Sequence, residues 1–152
     1  MVYPCPVRSG RIYSRTAMTS QKIAEQFVAA INTHDVEGIA SLMTSDHRFI
    51  DSLGTVVEGR DAMREGWRSY FTMVPDYKLD IRRSFIAEND KAEAVLVVVV
   101  SGSYWSKGIK QPNSSWSTPA ALRAVTRDGQ IAEWQVYADN EPIREQMRAA
   151  SV

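Results

Sequence analysis

The chain has 152 residues, enough for one domain with a substantial hydrophobic core and too few for two ordinary domains. Lysine plus arginine and aspartate plus glutamate each number 18, so the net charge is zero, which argues against a nucleic-acid partner because such partners usually require a basic face. No segment approaches the roughly 18 consecutive apolar residues of a membrane helix, and the N-terminus lacks the apolar core of a signal peptide. We therefore expect a cytoplasmic protein with neither a nucleic-acid nor a membrane partner.

Residues 1–18 are expected to form a flexible N-terminal extension, and residues 19–152 a single domain. The only cysteine, Cys5, lies in that extension between two prolines, so no intramolecular disulfide can form. Met18 is an alternative translation start, because the periodic sequence begins directly after it.

The first half of the domain has the periodicity of three amphipathic helices. "SQKIAEQFVAAIN" repeats apolar residues on one helical face, with Thr19 or Ser20 as the N-cap. Asp35 is a good N-cap for a shorter second helix. "GRDAMREGWRSYFTMVPD" predicts a third helix that Pro75 ends. Between the second and third helices, "RFIDS" and "TVVEG" predict two short strands around a Leu-Gly turn.

The second half has the two-residue period of β-strands. "YKLDI" alternates strictly, and "KAEAVLVVVVSGSYW" predicts a long central strand that is apolar on both faces. "SKGIKQPNSS" suggests a polar hairpin loop, "TPAALRAVT" the returning strand and "QIAEWQVYAD" the last strand, with a short helix from Pro142 onward. Helices grouped before an antiparallel meander indicate an α+β fold: a curved, mostly antiparallel sheet that wraps around three N-terminal helices as a cone-shaped α+β barrel.

Three segments in this order resemble the nuclear transport factor 2-like superfamily, which includes SnoaL-like polyketide cyclases, ketosteroid isomerases and limonene epoxide hydrolases. They are "NTHDVEGIASLMTSDHRFIDSLG", "VVEGRDAM" and "RDGQIAEWQVYAD". The resemblance covers roughly residues 20–148 and implies the cone-shaped fold. It does not by itself imply a function, because one fold of this kind supports many unrelated activities.

The resemblance assigns a role to one residue, Asp51. In ketosteroid isomerases the general base is an aspartate at the end of this first strand, facing into the cone, and Asp51 matches that position. Two interpretations stay open from the residues alone. Asp51 is either a general base in the cavity or a cap for the turn formed by residues 52–54.

The other catalytic groups of the family do not carry over. Where the isomerases have a tyrosine on the first helix this chain has Phe27, and where they have a second acid it has Ala121 or Leu122. Where the cyclases and epoxide hydrolases have an aspartate on the last strand, it has Val136. Since stabilisation of the developing oxyanion is usually a large part of catalysis, we do not expect steroid isomerisation. Tyr70 or the indole N–H of Trp134 is then the candidate donor.

We predict an apolar cavity lined by aromatic and aliphatic side chains that the fold directs inward. The proposed substrate contacts are Phe27, Phe49, Trp67, Tyr70, Leu122, Trp134, Val136 and Ala138. By strand parity Glu133, Gln135 and Tyr137 lie on the outer face of the sheet, which is commonly a dimer interface in the superfamily. We also expect Arg123 to pair with Glu133 across the final hairpin.

The two histidines do not suggest a metal site, since neither has the spacing of known ligand motifs, and we expect no metal and no cofactor. His47 is expected on the surface at the entrance of the first strand, and His34 exposed in the turn between helices.

Two functions remain open from the sequence. One is an isomerase, cyclase or hydrolase in which Asp51 acts as general base on a ring-containing apolar substrate. The other is a non-catalytic, dimeric binding protein for a small apolar molecule.

Overall fold

The computed structural model describes residues 18–150, and its elements follow the order expected from the sequence. Residues 1–17, with Cys5 and nearly all of the expected extension, lie outside the described part. The helices are α1 (Ser20–Asn32), α2 (Val36–Ser41), α3 (Arg60–Met73) and α4 (Glu141–Ala150). The strands are β1 (Met43–Ile50), β2 (Val56–Glu58), β3 (Lys78–Ile86), β4 (Glu93–Ser106), β5 (Ile109–Arg127) and β6 (Gln130–Ala138).

The strands form one curved, unclosed sheet in the order β2-β1-β6-β5-β4-β3. Every neighbouring pair is antiparallel except β1 and β6, which run parallel. Helix α1 packs across β3 to β6, and α3 packs against β1, β2 and β4. The expected α+β class, with helices packed against a curved and mostly antiparallel sheet, is confirmed.

Local side-chain hydrogen bonds fix the starts of the first two helices. The Thr19 hydroxyl accepts from the backbone N–H of Lys22 at 3.2 Å, and the Asp35 carboxylate accepts from the N–H of Gly38 at 2.9 Å. Each satisfies a backbone donor that the helix itself leaves unpaired. Both caps were expected from the sequence.

The core lies between α1 and the centre of the sheet. Its largest fully buried side chains include Phe27 and Ile31 from α1, Leu96 and Leu122 from the long strands, and Trp134 from β6. Full burial of a side chain of this size typically contributes about 1.5–3 kcal/mol, so this one layer supplies much of the stability of the domain.

The prediction of a polar loop over residues 106–115 is wrong. Only Lys107 and Gly108 form the turn, with φ values of 52° and 74°, and β5 begins at Ile109. Positive φ at both central residues is typical of the two-residue turn whose twist matches that of the flanking strands. The polar residues that follow extend the ladder, and the hydroxyl of Ser114 donates to the carbonyl of Tyr104 at 3.1 Å.

His47 is completely buried, which makes the expected surface position wrong. Its Nδ1 lies 2.9 Å from the Ile131 carbonyl oxygen, so Nδ1 carries the proton and donates it. Nε2 is buried and has no hydrogen-bond partner among residues 18–150. Burial lowers the pKa of His47 because it disfavours the charged imidazolium, while the bond to Ile131 and the charges of Glu133 and Asp46 oppose that effect.

Gly102 on β4 is a position where the close packing leaves no room for a side chain. A Cβ there would lie 2.6 Å from a methyl carbon of Val74 and 2.8 Å from the Trp116 ring. We expect Gly102→Ala to lower the free energy of unfolding by about 1–3 kcal/mol in urea titrations, because overpacking forces its neighbours to move. Gly66→Ala is the matched control: its Cβ would meet only Met63 at 3.8 Å, so this exposed helical site should be neutral or gain up to about 1 kcal/mol.

The buried neutral His47 predicts a loss of stability in acid. Below its ordinary pKa of about 6.5, the unfolded chain takes up a proton that the folded chain resists. The free energy of unfolding should therefore fall between pH 7 and pH 5, with a contribution from His47 of up to about 1.4 kcal/mol per pH unit. In His47→Gln, urea titrations across this range should show a shallower dependence on pH. Parallel curves for the two proteins would contradict the assignment.

Candidate functional site

The parallel pairing of β1 with β6 positions the candidate site. Phe49 pairs with Trp134 and Ile50 with Gln135, so the end of β1 lies beside the middle of β6. The backbone N–H of Ile131 also donates to the carbonyl of Leu42 at 2.7 Å, at the start of the pairing. Asp51 follows β1 directly and therefore lies at the edge of the space between the sheet and α3.

A cavity of about 320 Å³ occupies that space. Seven of the residues expected to contact a substrate or act on it line the cavity. They are Phe49, Asp51, Trp67, Tyr70, Trp134, Val136 and Ala138. Phe27 and Leu122 lie elsewhere, fully buried in the core, and Phe27 packs edge-on against Trp134 with ring centroids 4.8 Å apart.

Sequence reasoning missed several lining residues. Tyr77 and Val100 reach the cavity from the β3 side, and Trp116 reaches it from the part of β5 that was expected to be outside the regular sheet. The alternation of Tyr77 with Leu79 was a usable signal, because it placed both on one face of a strand. The remaining lining residues are Ser52, Val57, Ala62, Met63, Gly66 and Asn140.

Asp51 both caps the turn and lines the cavity, whereas its action as a general base stays a prediction. Its Oδ1 accepts from the backbone N–H groups of Leu53 and Thr55, each at 2.9 Å, so the carboxylate caps the turn that follows β1. Its Oδ2 has no hydrogen-bond partner within residues 18–150. The carboxylate also lines the cavity, where it is the one charged side chain among the lining residues described. One oxygen is therefore fixed by the fold, and the other has no protein partner there.

Polar groups from α4 meet the same turn. The amide of Asn140 donates to the Ser52 hydroxyl oxygen at 2.9 Å, and the guanidinium of Arg144 donates to it at 3.3 Å. Since Ser52 accepts from both, its own hydroxyl proton points elsewhere. This contact holds the start of α4 against the mouth of the cavity.

Three aromatic rings form one wall of the cavity. Tyr70 and Tyr77 are perpendicular, with interplanar angle 89° and centroids 5.0 Å apart, and Trp67 lies perpendicular to Tyr70 at 6.3 Å. Burial raises the pKa of both phenols well above their ordinary value, because it disfavours the phenolate, so both remain neutral donors. The indole N–H of Trp67 is buried and has no hydrogen-bond partner in the described part of the chain.

His34 packs against the side of this wall that faces away from the cavity. It is half-buried, so the prediction that it is exposed is wrong. Its ring stacks on Phe71 at 4.1 Å, and its Nε2 donates to the carbonyl oxygen of Tyr77 at 3.0 Å. The loop between α1 and α2 therefore helps to fix the backbone of Tyr77.

The ion pair expected between Arg123 and Glu133 is confirmed on the outer side of the sheet. Glu133 also pairs with Arg48 at 3.0 Å, and Arg123 with Glu93 at 3.1 Å. These pairs link β1, β6, β5 and β4 on the side away from the cavity.

Within the part of the chain that the structure describes, no group of three or more histidine, cysteine or acidic side chains is arranged to hold a metal ion. No helix in residues 18–150 is both long and apolar enough to cross a membrane.

Solved structures with this fold come from several bacteria. A polyketide cyclase-like protein of Pseudomonas putida aligns with a TM-score of 0.72 at 21% identity, over 85% of this chain and 98% of its own. A SnoaL-like polyketide cyclase-like protein of Shewanella denitrificans aligns with a TM-score of 0.70 at 14% identity, over 86% and 97%. A protein of Catenulispora acidiphila with a ketosteroid isomerase-like fold, solved in complex with trimethylamine, aligns with a TM-score of 0.69 at 19% identity, over 82% and 91%. At these identities the likeness establishes the fold.

No curated protein matches the chain in sequence. The family model for the SnoaL-like domain matches residues 24–134, well over half of the chain. That match runs from α1 into β6 and includes the first two segments on which the resemblance depended and the first part of the third, up to Trp134. The chain belongs to the SnoaL-like family.

Proposed function

We propose that this SnoaL-like domain binds a small, ring-containing apolar molecule in the cavity and that Asp51 acts on it as a general base. The reaction class is an isomerisation, cyclisation or hydrolysis. The observation that carries the proposal is the position of Asp51, which is the one charged group among the described residues lining an otherwise aromatic and aliphatic cavity.

The geometry of Asp51 supports a role in proton transfer. Its Oδ1 is held by two backbone N–H groups, so the side chain is already oriented, while Oδ2 has no partner among residues 18–150. A positioned base typically accelerates a reaction by about 10²–10⁴-fold. Pre-orientation avoids the entropy that a freely rotating carboxylate would lose on binding substrate.

A base of this kind needs a donor for the oxyanion that forms when the proton leaves. Tyr70 and Tyr77 line the cavity with phenols that burial keeps protonated. They are suitable donors on the side of α3 and β3, and they replace the tyrosine that ketosteroid isomerases carry where this chain has Phe27. Tyr70 was one of the two donors expected from the sequence.

The cavity volume limits the size of the substrate. About 320 Å³ is near the lower end of small-molecule sites, so a molecule with one or two rings is the expected size class. Ring ketones, lactones and epoxides within that size are the compounds to test.

The alternative function is a binding protein without catalysis. The specific observation that favours it is the cap itself. Asp51 accepts hydrogen bonds from the backbone of Leu53 and Thr55, so the turn needs an aspartate at this position even if no reaction takes place. The aromatic walls serve either function equally.

We also propose that the domain forms a homodimer through the outer face of the sheet. Tyr137, Ala121 and Val97 are cross-strand neighbours on that face, and Phe85 pairs with Val95 in the adjoining row. Tyr137 and Phe85 are 54% and 50% exposed, and Val97 is 36% exposed. A contiguous apolar patch on a sheet is typical of a surface that another chain covers.

Asp51→Asn tests the proposed base, because asparagine keeps an oxygen at Oδ1 for the turn and removes the charge. We expect turnover of any substrate found among the ring ketones, lactones and epoxides to fall by about 10²–10⁴-fold in kcat, with little change in the melting temperature. Asp46→Asn, a similar change on the exposed side of β1, is the control and should retain full turnover. Equal rates for Asp51→Asn and the unaltered protein would rule out the base, and binding of compounds without turnover would favour the alternative.

Val97→Glu tests the dimer. A buried carboxylate without a partner is costly, so a dimer closed by the outer face should dissociate. Light scattering after size-exclusion chromatography should then give the mass of one chain for this variant and of two chains for the unaltered protein. Ile109→Glu places the same group on the exposed tip of the β4–β5 hairpin and should not change the mass. An unaltered protein that is already monomeric at micromolar concentrations would refute the proposed interface.

A further inference from the structure

The cavity has an electrostatic character that the proposed reaction does not use. Six of its lining side chains are aromatic: Phe49, Trp67, Tyr70, Tyr77, Trp116 and Trp134. The faces of such rings carry negative partial charge and attract cations. Among the lining residues described, the one formal charge is the carboxylate of Asp51, and none of them is lysine, arginine or histidine. Both features favour a positive ligand.

The arrangement of the rings suits a compact cation. Tyr70 is perpendicular to both Tyr77 and Trp67, and these two are tilted by 48° to each other at 6.3 Å. The three rings therefore form a corner with walls in different planes. A cavity of about 320 Å³ is roughly 8 Å across if it is near spherical, so a group inside it lies within or near the roughly 6 Å range of a cation–π contact with several rings.

From these contacts we infer that the ligand of this cavity carries an alkylated ammonium group, held by the aromatic walls with Asp51 as the counter-charge. The inference rests on the proposed function in that the ligand occupies the same cavity, and it adds the charge and chemical class of that ligand.

The lining offers one charged acceptor, Asp51, and otherwise only the neutral side-chain oxygens of Ser52, Asn140, Tyr70 and Tyr77, which favours an alkylated ammonium group. A primary ammonium has three N–H donors and is costly to remove from water unless each finds an acceptor. The only carboxylate oxygen of the cavity without a protein partner among the described residues is Oδ2 of Asp51. A methylated ammonium spreads its charge over carbon-bound hydrogens, loses less hydration and needs no such acceptors, so aromatic faces suffice.

One positive charge lies close to the mouth. Arg144 on α4 donates to Ser52 at 3.3 Å but is not among the lining residues. Its charge opposes entry of a cation and partly offsets the attraction of Asp51, so removing it should tighten the binding of a cationic ligand.

Phenyltrimethylammonium and tert-butylbenzene form a matched pair of probes, because they have nearly the same shape and differ in charge. Binding of each to the full chain is measured by quenching of tryptophan fluorescence, since three tryptophans line the cavity. We expect the unaltered protein to bind the ammonium probe more tightly than the neutral probe. In Asp51→Asn, affinity for the ammonium probe should fall by about tenfold, with less than a twofold change for the neutral probe.

Arg144→Gln provides an independent test if Asp51→Asn folds poorly, because its expected effect on affinity for the ammonium probe is opposite to that of Asp51→Asn. It should raise affinity for the ammonium probe at low salt and leave the neutral probe unchanged, because only the charged ligand senses the arginine. Tighter binding of tert-butylbenzene than of the ammonium probe, or equal loss of both in Asp51→Asn, would overturn the cationic class while leaving a neutral ligand and the proposed function intact. Failure of both probes to bind the unaltered protein would overturn the cationic class and the small apolar ligand together.

Discussion

The parallel pairing of β1 with β6 is the constraint on which the rest of the structure depends. It joins residues 85 to 88 positions apart, and its register places Phe49 beside Trp134 and Met43 beside Ile131. Ile131 anchors one end, because its N–H donates to Leu42 and its carbonyl accepts from the buried His47. The outer side of the same pairing is fixed by the ion pair of Arg48 with Glu133. Since a shift of one residue would turn every cavity-facing side chain of a strand to the opposite face, these contacts determine which residues form the site.

The position of Asp51 follows from that pairing and from a turn. The strand ends at Ile50, and the chain must reverse to form β2, so a residue that satisfies the turn's backbone donors is favoured at the next position. Asp51 does so with one oxygen, while the other has no hydrogen-bond partner among residues 18–150, and the side chain lines the cavity. Capping the turn and lining the cavity are therefore compatible, since the two backbone hydrogen bonds orient the same carboxylate that lines the cavity.

Local signals were sufficient for much of the fold, and non-local pairing accounts for what they missed. Several features depend only on residues a few positions apart, and all of these were predictable. They are the caps at Thr19 and Asp35, the apolar face of α3 and the inward direction of Trp134, Val136 and Ala138. His47 is buried because β6 covers it, which no window of sequence around His47 contains. Residues 106–115 were predicted to be a loop because their composition is polar. The pairing of Ser106 with Ile109 instead makes most of them part of two paired strands. Trp116 was missed as a cavity residue for the same reason.

Packing accounts for Phe27 and Val136, the two residues that the resemblance leads us to expect at catalytic positions of the family. Phe27, where the isomerases carry a tyrosine, contacts the Trp134 ring edge-on and is excluded from the cavity, so it strengthens the wall without contributing a donor. Val136, where the cyclases carry an aspartate, makes that side of the cavity aliphatic. The polar side chains among the lining residues are Asp51, Ser52 and Asn140 at one edge and the hydroxyls of Tyr70 and Tyr77 on the α3 and β3 side. The phenols that line the cavity thus come from α3 and from the residue before β3, whereas Phe27 on α1 and Val136 on β6 supply no donor.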